Sequence, residues 1–219
     1  MKYGESTFDI LYLLFAIVSG CVMLVKARNR TERLMGLSAL ILGCGDAFHL
    51  IPRVLNYFSE TDLTAALGIG KLVTSVTMTL FYVLLYYVWS GYFGKERKTG
   101  VTVAVWLLAA ARVALCAFPQ NGWLENSGDL TWGIARNVPF AALGAVICLL
   151  YFRTRNDSRR LMPVWLYILF SFLFYIPVAV GAGAVPILGM LMLPKTVCYI
   201  LLILTFLLAV LKDRPRENQ

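Results

Sequence analysis

The sequence predicts an all-α membrane protein, a bundle of seven transmembrane helices joined by short loops. Three observations predict it. Residues of the AVILMFWYC set make up 59% of the 219 positions and charged residues only 15%, where soluble domains run about 45–50% and about 25%. Seven separate stretches are each long enough for the ~20 apolar residues a bilayer crossing requires. The Lys and Arg residues cluster in every second connection. A mean hydropathy of +0.73 excludes a soluble enzyme and a disordered chain alike.

The stretches run in order. Phe8–Val25 opens the series, with Glu5 and Asp9 where a secretion signal would be basic, so it reads as a retained span. Leu34–Phe58 has polar interruptions at Asp46, His49 and Arg53, and it could end near Pro52. Leu63–Phe93 is the longest and carries Lys71, while Val101–Phe118 carries Arg112. Leu130–Phe152 holds Arg136 and Asn137, Leu161–Val180 holds no charge, and Pro186–Leu211 holds Lys195. The whole chain, 1–219, reads as one polytopic domain.

The net charge is +8, and its placement gives an orientation. The first, third and fifth connections and the tail collect Lys26, Arg28, Arg30, Arg33, Lys95, Arg97, Lys98, Arg153, Arg155, Arg159, Arg160, Lys212, Arg214 and Arg216. With Glu32, Glu96, Asp157, Asp213 and Glu217, that side carries +9. The other side, Lys2 with Glu5, Asp9, Glu60, Asp62, Glu125 and Asp129, carries −5. Basic loops stay in the cytoplasm, so the N-terminus is expected outside, the C-terminus inside, and the location a cell membrane. The basic loops serve topology and anionic lipid heads; a nucleic-acid partner is not expected.

The groups left over are Asp46, His49, Arg53, Lys71, Arg112, Arg136 and Lys195, which sum to +4. Each charge inside a membrane costs about 2.5–3.5 kcal/mol on insertion scales and marks a functional site by default. Lys71, Arg136 and Lys195 stand eight, six and nine residues into their stretches, about 9–14 Å below the outer ends at 1.5 Å per residue. Asp46 and Arg112 fall near mid-membrane. Asp46, His49 and Arg53 are spaced i, i+3, i+7 on one face, and Lys71 shares a face with Ser75 and Tyr82. Asn137 lies beside Arg136, and Lys195 and Tyr199 are one turn apart. Pro52, Pro139, Pro177 and Pro194 interrupt spans near this level. Arg53, Arg136 and Lys71 also read as interfacial snorkellers, and Tyr82, Tyr175 and Tyr199 as packing. As a set, however, Lys71, Arg112 and Lys195 exceed what Asp46 alone neutralises, so an anion is expected to complete the site.

Other chemistries fit less well. One His and one intramembrane acid do not make a catalytic zinc site, and no metal or cofactor is expected. Ser75, His49 and Asp46 formally supply a nucleophilic triad, but Asp46 and His49 share one helix turn and no strand-turn-helix elbow exists. Lys195 invites a retinal Schiff base, for which Asp46 is the one counter-ion available. The five Cys are dispersed without a CxxC and read as small apolar residues. Gly36, Gly43 and Gly144 suit close helix packing, within the chain or between protomers of a homo-oligomer.

The run Gly45-Asp46-Ala47-Phe48-His49-Leu50-Ile51-Pro52-Arg53 resembles the Gly-Asp-x-x-Leu-x-Pro box of the YhhN-type lysoplasmalogenases, polytopic proteins that hydrolyse the vinyl-ether bond of lysoplasmalogens. Gly68 to Tyr82 loosely echoes the family's following helix, although the His of that helix has no counterpart here. The resemblance implies that Asp46 is the catalytic general acid, with His49 beside it and the bases holding a lipid phosphate.

Three function classes therefore share one expected site. The first is an organic-anion transporter with an outward-opening cationic pocket formed by Lys71, Arg112, Arg136, Asn137, Lys195, Tyr199, Tyr82 and Arg53. The second is a lysoplasmalogenase-like hydrolase using Asp46 and His49. The third is a seven-helix receptor or retinal-type sensor. The expected partners are membrane lipid and an anionic small molecule or phospholipid head group.

Overall fold

A computed structural model describes residues 2–126, 129–181 and 185–212, with the side chain of residue 186 outside the description. The basic tail positions Arg214 and Arg216, and the acids Asp213 and Glu217, lie outside the described residues. The chain is all-helical, with no strand among the described residues. Its helices are α1 (Lys2–Lys26), α2 (Arg30–Phe58), α3 (Thr64–Tyr92), α4 (Thr99–Cys116), α5 (Leu130–Arg153), α6 (Val164–Gly181) and α7 (Met192–Lys212), with short 3-10 turns at Pro119–Asn121 and Pro186–Leu191. Among the described residues seven helical segments are long and apolar enough to cross a membrane, which makes this a multi-pass membrane protein.

Local chemistry sets several boundaries. The Asn29 side chain accepts from Glu32 N at 2.9 Å, and Glu32 accepts from Arg28 N at 2.7 Å, so two orphan amides at the start of α2 are satisfied reciprocally. Asp62 accepts from Thr64 N at 2.9 Å ahead of α3, and hydrogen bonding from the Thr64 side chain and from this backbone N–H holds its carboxyl below the usual range. Asp129 accepts from Thr131 N at 3.1 Å and caps α5. Pro52, Pro139 and Pro177 lie inside α2, α5 and α6. Pro194 lies inside the seventh spanning segment, Ile187–Lys212, just past its 3-10 turn and in the first turn of α7, where its missing N–H costs nothing.

Consecutive helices pack against one another, α7 returns to α1, and α2–α7 and α3–α5 meet across the bundle. The core is centred on α3, where Phe81, Tyr82, Leu85, Tyr86 and Val88 are buried. Leu11, Leu14, Trp106, Leu107, Phe170 and Leu173 face outward, an apolar exterior suited to lipid. Glycines set the closest approaches. A Cβ at Gly36 would meet Leu24, one at Gly43 would meet Ala16, and one at Gly144 would meet Phe172. All three pack helices within the chain.

α1 starts six residues before the apolar stretch that announces it, so Glu5 and Asp9 are helical. The pole at which α1 begins, with the α2–α3, α4–α5 and α6–α7 connections, is called the amino pole below. At the opposite pole a 3.0 Å ion pair between Lys95 and Asp157 joins two of the basic connections.

Candidate functional site

A polar layer crosses the bundle, and all seven helices contribute to it. On the α4 side, Arg112 is only 2% exposed. Its Nη1 donates to Asn137 Oδ1 at 3.0 Å, its Nε to the Ser75 carbonyl at 3.4 Å, and its guanidinium stands 3.7 Å from the Phe140 ring centroid. Asn137 Oδ1 also accepts from Tyr175 Oη at 2.8 Å, and its Nδ2 is anchored on the Gly133 carbonyl at 2.9 Å. The Tyr175 ring then lies 4.7 Å from Lys195 Nζ, which is 5.5 Å from the Tyr199 ring. Tyr199 Oη meets Tyr82 Oη at 3.4 Å, and Tyr82 Oη meets Ser171 Oγ at 3.3 Å. Tyr12 of α1 closes the layer, donating to Asp46 Oδ2 of α2 at 2.6 Å. Asp46 and Lys195 act on each other electrostatically, yet no ion pair within 4.0 Å joins them.

Two expected site residues occupy a rim closer to the amino pole. Arg136 Nη1 donates to Asn121 Oδ1 at 2.6 Å and its guanidinium stands 4.5 Å from the Trp123 ring. Lys71 is exposed, and its Nζ donates to Asn126 Oδ1 at 2.7 Å. Both acceptors come from the connection after α4. Asn121 is buried because its Nδ2 ties the carbonyls of Leu115 and Phe118, each at 2.8 Å.

Asp46, His49 and Arg53 do not face one partner. A spacing of i, i+3, i+7 leaves an arc wide enough to touch different helices. Asp46 meets α1 and senses α7. Arg53 pairs with Glu5 of α1 and is thereby neutralised. His49 lies where Gly70 lets α3 approach, since a Cβ on Gly70 would strike the Phe48 carbonyl and the His49 Cα. Its Nδ1 is buried with no hydrogen-bond partner.

Four cations, Lys71, Arg112, Arg136 and Lys195, are thus held by neutral amide oxygens, a backbone carbonyl and aromatic rings. Neutral acceptors satisfy N–H groups but leave the positive charge uncompensated. Asp9 changes the count of acids. Its position suggested an outer-surface acid, but it is 4% exposed on α1 and its Oδ2 has no partner. Two membrane carboxylates, Asp9 and Asp46, therefore lie next to each other on the α1–α2 side, and of the two only Asp46 senses a cation, Lys195. Asp9, Tyr12, Asn121, Trp123 and Asn126 are the residues that spacing alone does not pick out.

Removing the Tyr12 hydroxyl takes a charge-assisted hydrogen bond from a half-buried carboxylate. Tyr12→Phe is expected to cost about 1.5–3 kcal/mol, read as a lower thermal midpoint in detergent.

The layer opens sideways as well. A groove of about 370 Å³ runs between α5 and α6, lined by apolar residues that include Gly144, Cys148, Trp165, Leu169, Phe172 and Leu173. It shares Ala141 and Ile176 with a recess of about 140 Å³ that contains Asn137 and Tyr175. The groove therefore leads along the bundle exterior to two members of the polar layer.

Nucleophilic chemistry gains no support from Ser75. Ser75 Oγ donates to its own helix at the Lys71 carbonyl, 2.8 Å away. Among the described residues no group of three or more His, Cys, Asp or Glu is placed to share a metal ion, and all five cysteines are unpaired. No family model matches the sequence, and neither a curated protein nor a solved structure matches it.

Proposed function

We propose that the protein is a carrier of the cell membrane, with its amino pole outside, that binds an anionic amphiphile at the polar layer. The observation that carries this is the mode in which Lys71, Arg112, Arg136 and Lys195 are held. Among the described residues none of them has a carboxylate within ion-pair distance; their partners are neutral amides, a carbonyl or aromatic faces, and all but the exposed Lys71 are wholly or partly buried. A buried cation without a counter-charge is costly, and a phosphate or carboxylate head group offsets that cost. The α5–α6 groove favours an amphiphile over a fully soluble anion. An alkyl chain fits its apolar length, and the head then lies beside Asn137 and Tyr175. Prolines inside α2, α5 and α6 suit helices that line a midplane site.

A second reading rests on the same groove, since a lipid hydrolase also needs lateral access. There Asp46 would protonate the vinyl ether as general acid, with His49 beside it.

Reconstituted vesicles separate the two. A radiolabelled single-chain phosphate amphiphile is expected to cross the bilayer uncleaved, at a rate above that of protein-free vesicles. Aldehyde release from an alkenyl lysophospholipid, lost in Asp46→Asn, would replace the carrier by a hydrolase. Neither movement nor cleavage would overturn both.

A further inference from the structure

Beyond anion binding, α1 and α2 share a polar seam that runs from the amino pole to the Tyr12–Asp46 end of the layer. Glu5 pairs with Arg53 and accepts from Tyr57 Oη at 3.0 Å; seven residues on, Tyr12 donates to Asp46. Ala16 and Gly20 continue the same stripe against Gly43 and Leu40. At 3.6 residues per turn Asp9 falls within that stripe, one turn from Glu5 and one from Tyr12. Ser6 stands one turn from Asp9 toward the amino pole. Asp9 and Ser6 are 4% and 5% exposed, and Asp9 Oδ2 and Ser6 Oγ have no hydrogen-bond partner. Two unpartnered oxygens in one seam are a place for a proton or for water.

The electrostatic neighbours form a ladder. Asp46 acts on Asp9, Asp9 acts on Tyr12, and Lys195 acts on Asp46. The ionisable groups facing the seam are Glu5 and Tyr12 from α1, Asp46, Arg53 and Tyr57 from α2, and Lys195 and Tyr199 from α7. His49, also on α2, is turned toward α3. The mouth is half-open, with the Arg53 and Glu5 side chains 27% and 23% exposed.

We propose that this seam conducts a proton from the amino pole to Asp46. A hydronium ion at the Glu5–Arg53 mouth, relayed by water at Ser6, gives its proton to Asp9 Oδ2 and remains as water. Asp9 makes no hydrogen bond to Tyr12, so a bridging water takes the Asp9 proton as it gives one of its own to the Tyr12 oxygen, while the original Tyr12 proton bonds to Asp46 Oδ2. The sequence ends with an Asp9 carboxylate, an intact Tyr12 hydroxyl and a neutral Asp46 acid. A neutral Asp46 no longer attracts Lys195, which frees the ammonium for a head group; this last consequence rests on the anion-binding reading, whereas the path itself does not.

The test is time-resolved infrared difference spectroscopy of the purified full chain, stepped from neutral to acid pH without added ligand. Wild type is expected to show a transient carboxylic C=O band for Asp9 that decays as a second band, for Asp46, rises. Asp9→Asn removes one and delays the other about tenfold, and Tyr12→Phe keeps both but gives a similar delay. Tyr12→Phe alone reads the path should Asp9→Asn fail to fold. No such band in wild type, or an unchanged rate at Asp46 in Tyr12→Phe, overturns the proposal. Repeating the step with a single-chain phosphate amphiphile separates the two readings. Intact bands and delays without amphiphile binding leave the path standing and remove the anion site.

Discussion

Lys195→Met is expected to weaken binding of a single-chain phosphate amphiphile by roughly 30-fold or more, with the thermal midpoint of the ligand-free protein held or raised. Truncating one member of a buried charge contact costs about 2–5 kcal/mol, and each 1.4 kcal/mol is tenfold in affinity. The stability half of the result has the opposite sign for a physical reason. Lys195 sits over the rings of Tyr175 and Tyr199 without a carboxylate within ion-pair distance. Methionine fills a similar volume, packs well on aromatic rings and carries no charge to desolvate. A lysine kept for structure would give the reverse, a lower midpoint with no ligand phenotype. Isothermal titration, paired with a thermal scan of the same sample, reads both quantities.

Gly70→Ala is expected to be among the most destabilising single substitutions in the protein. The added methyl would overlap the Phe48 carbonyl oxygen and crowd the His49 Cα, both backbone atoms of α2. Neither can rotate away as a side chain can, so α2 and α3 must separate at this crossing. Overpacking costs typically about 1–3 kcal/mol and more where the backbone must shift. Gly133→Ala is the control: a Cβ there meets nothing within 4 Å, and alanine is the better helix former by about 1 kcal/mol. Thermal midpoints in one detergent should therefore fall for Gly70→Ala and hold or rise for Gly133→Ala.

The two variants also mark how far the sequence could be read. The seven spans were legible because hydropathy is a property of composition over ~20 residues and needs no partner. The convergence of Arg112, Asn137, Lys195, Tyr199 and Tyr82 was legible too, since antiparallel helices convert residue number into depth. Azimuth was harder. Asp46, His49 and Arg53 share a stripe on α2, yet their neighbours lie on different helices, and only the placement of α1, α3 and α7 decides which. The acids of α1 were misjudged for a related reason. Glu5 precedes the apolar stretch and Asp9 is its second residue, so their charge assigns them to the outer surface. The helix in fact begins at Lys2 and turns both toward α2. Asn121, Trp123 and Asn126 lie in a connection with no periodic pattern, and nothing in their spacing says that it folds back to hold Arg136 and Lys71.

The central claim is that four membrane cations, held by neutral groups, await an anionic head. Native mass spectrometry of gently extracted protein tests it most directly, with equal concentrations of a single-chain phosphate amphiphile and its neutral alcohol analogue. The predicted result is a one-to-one adduct with the phosphate form, absent with the alcohol and lost in Lys195→Met. Equal adducts from both amphiphiles, or a phosphate adduct that survives Lys195→Met unchanged, would contradict it.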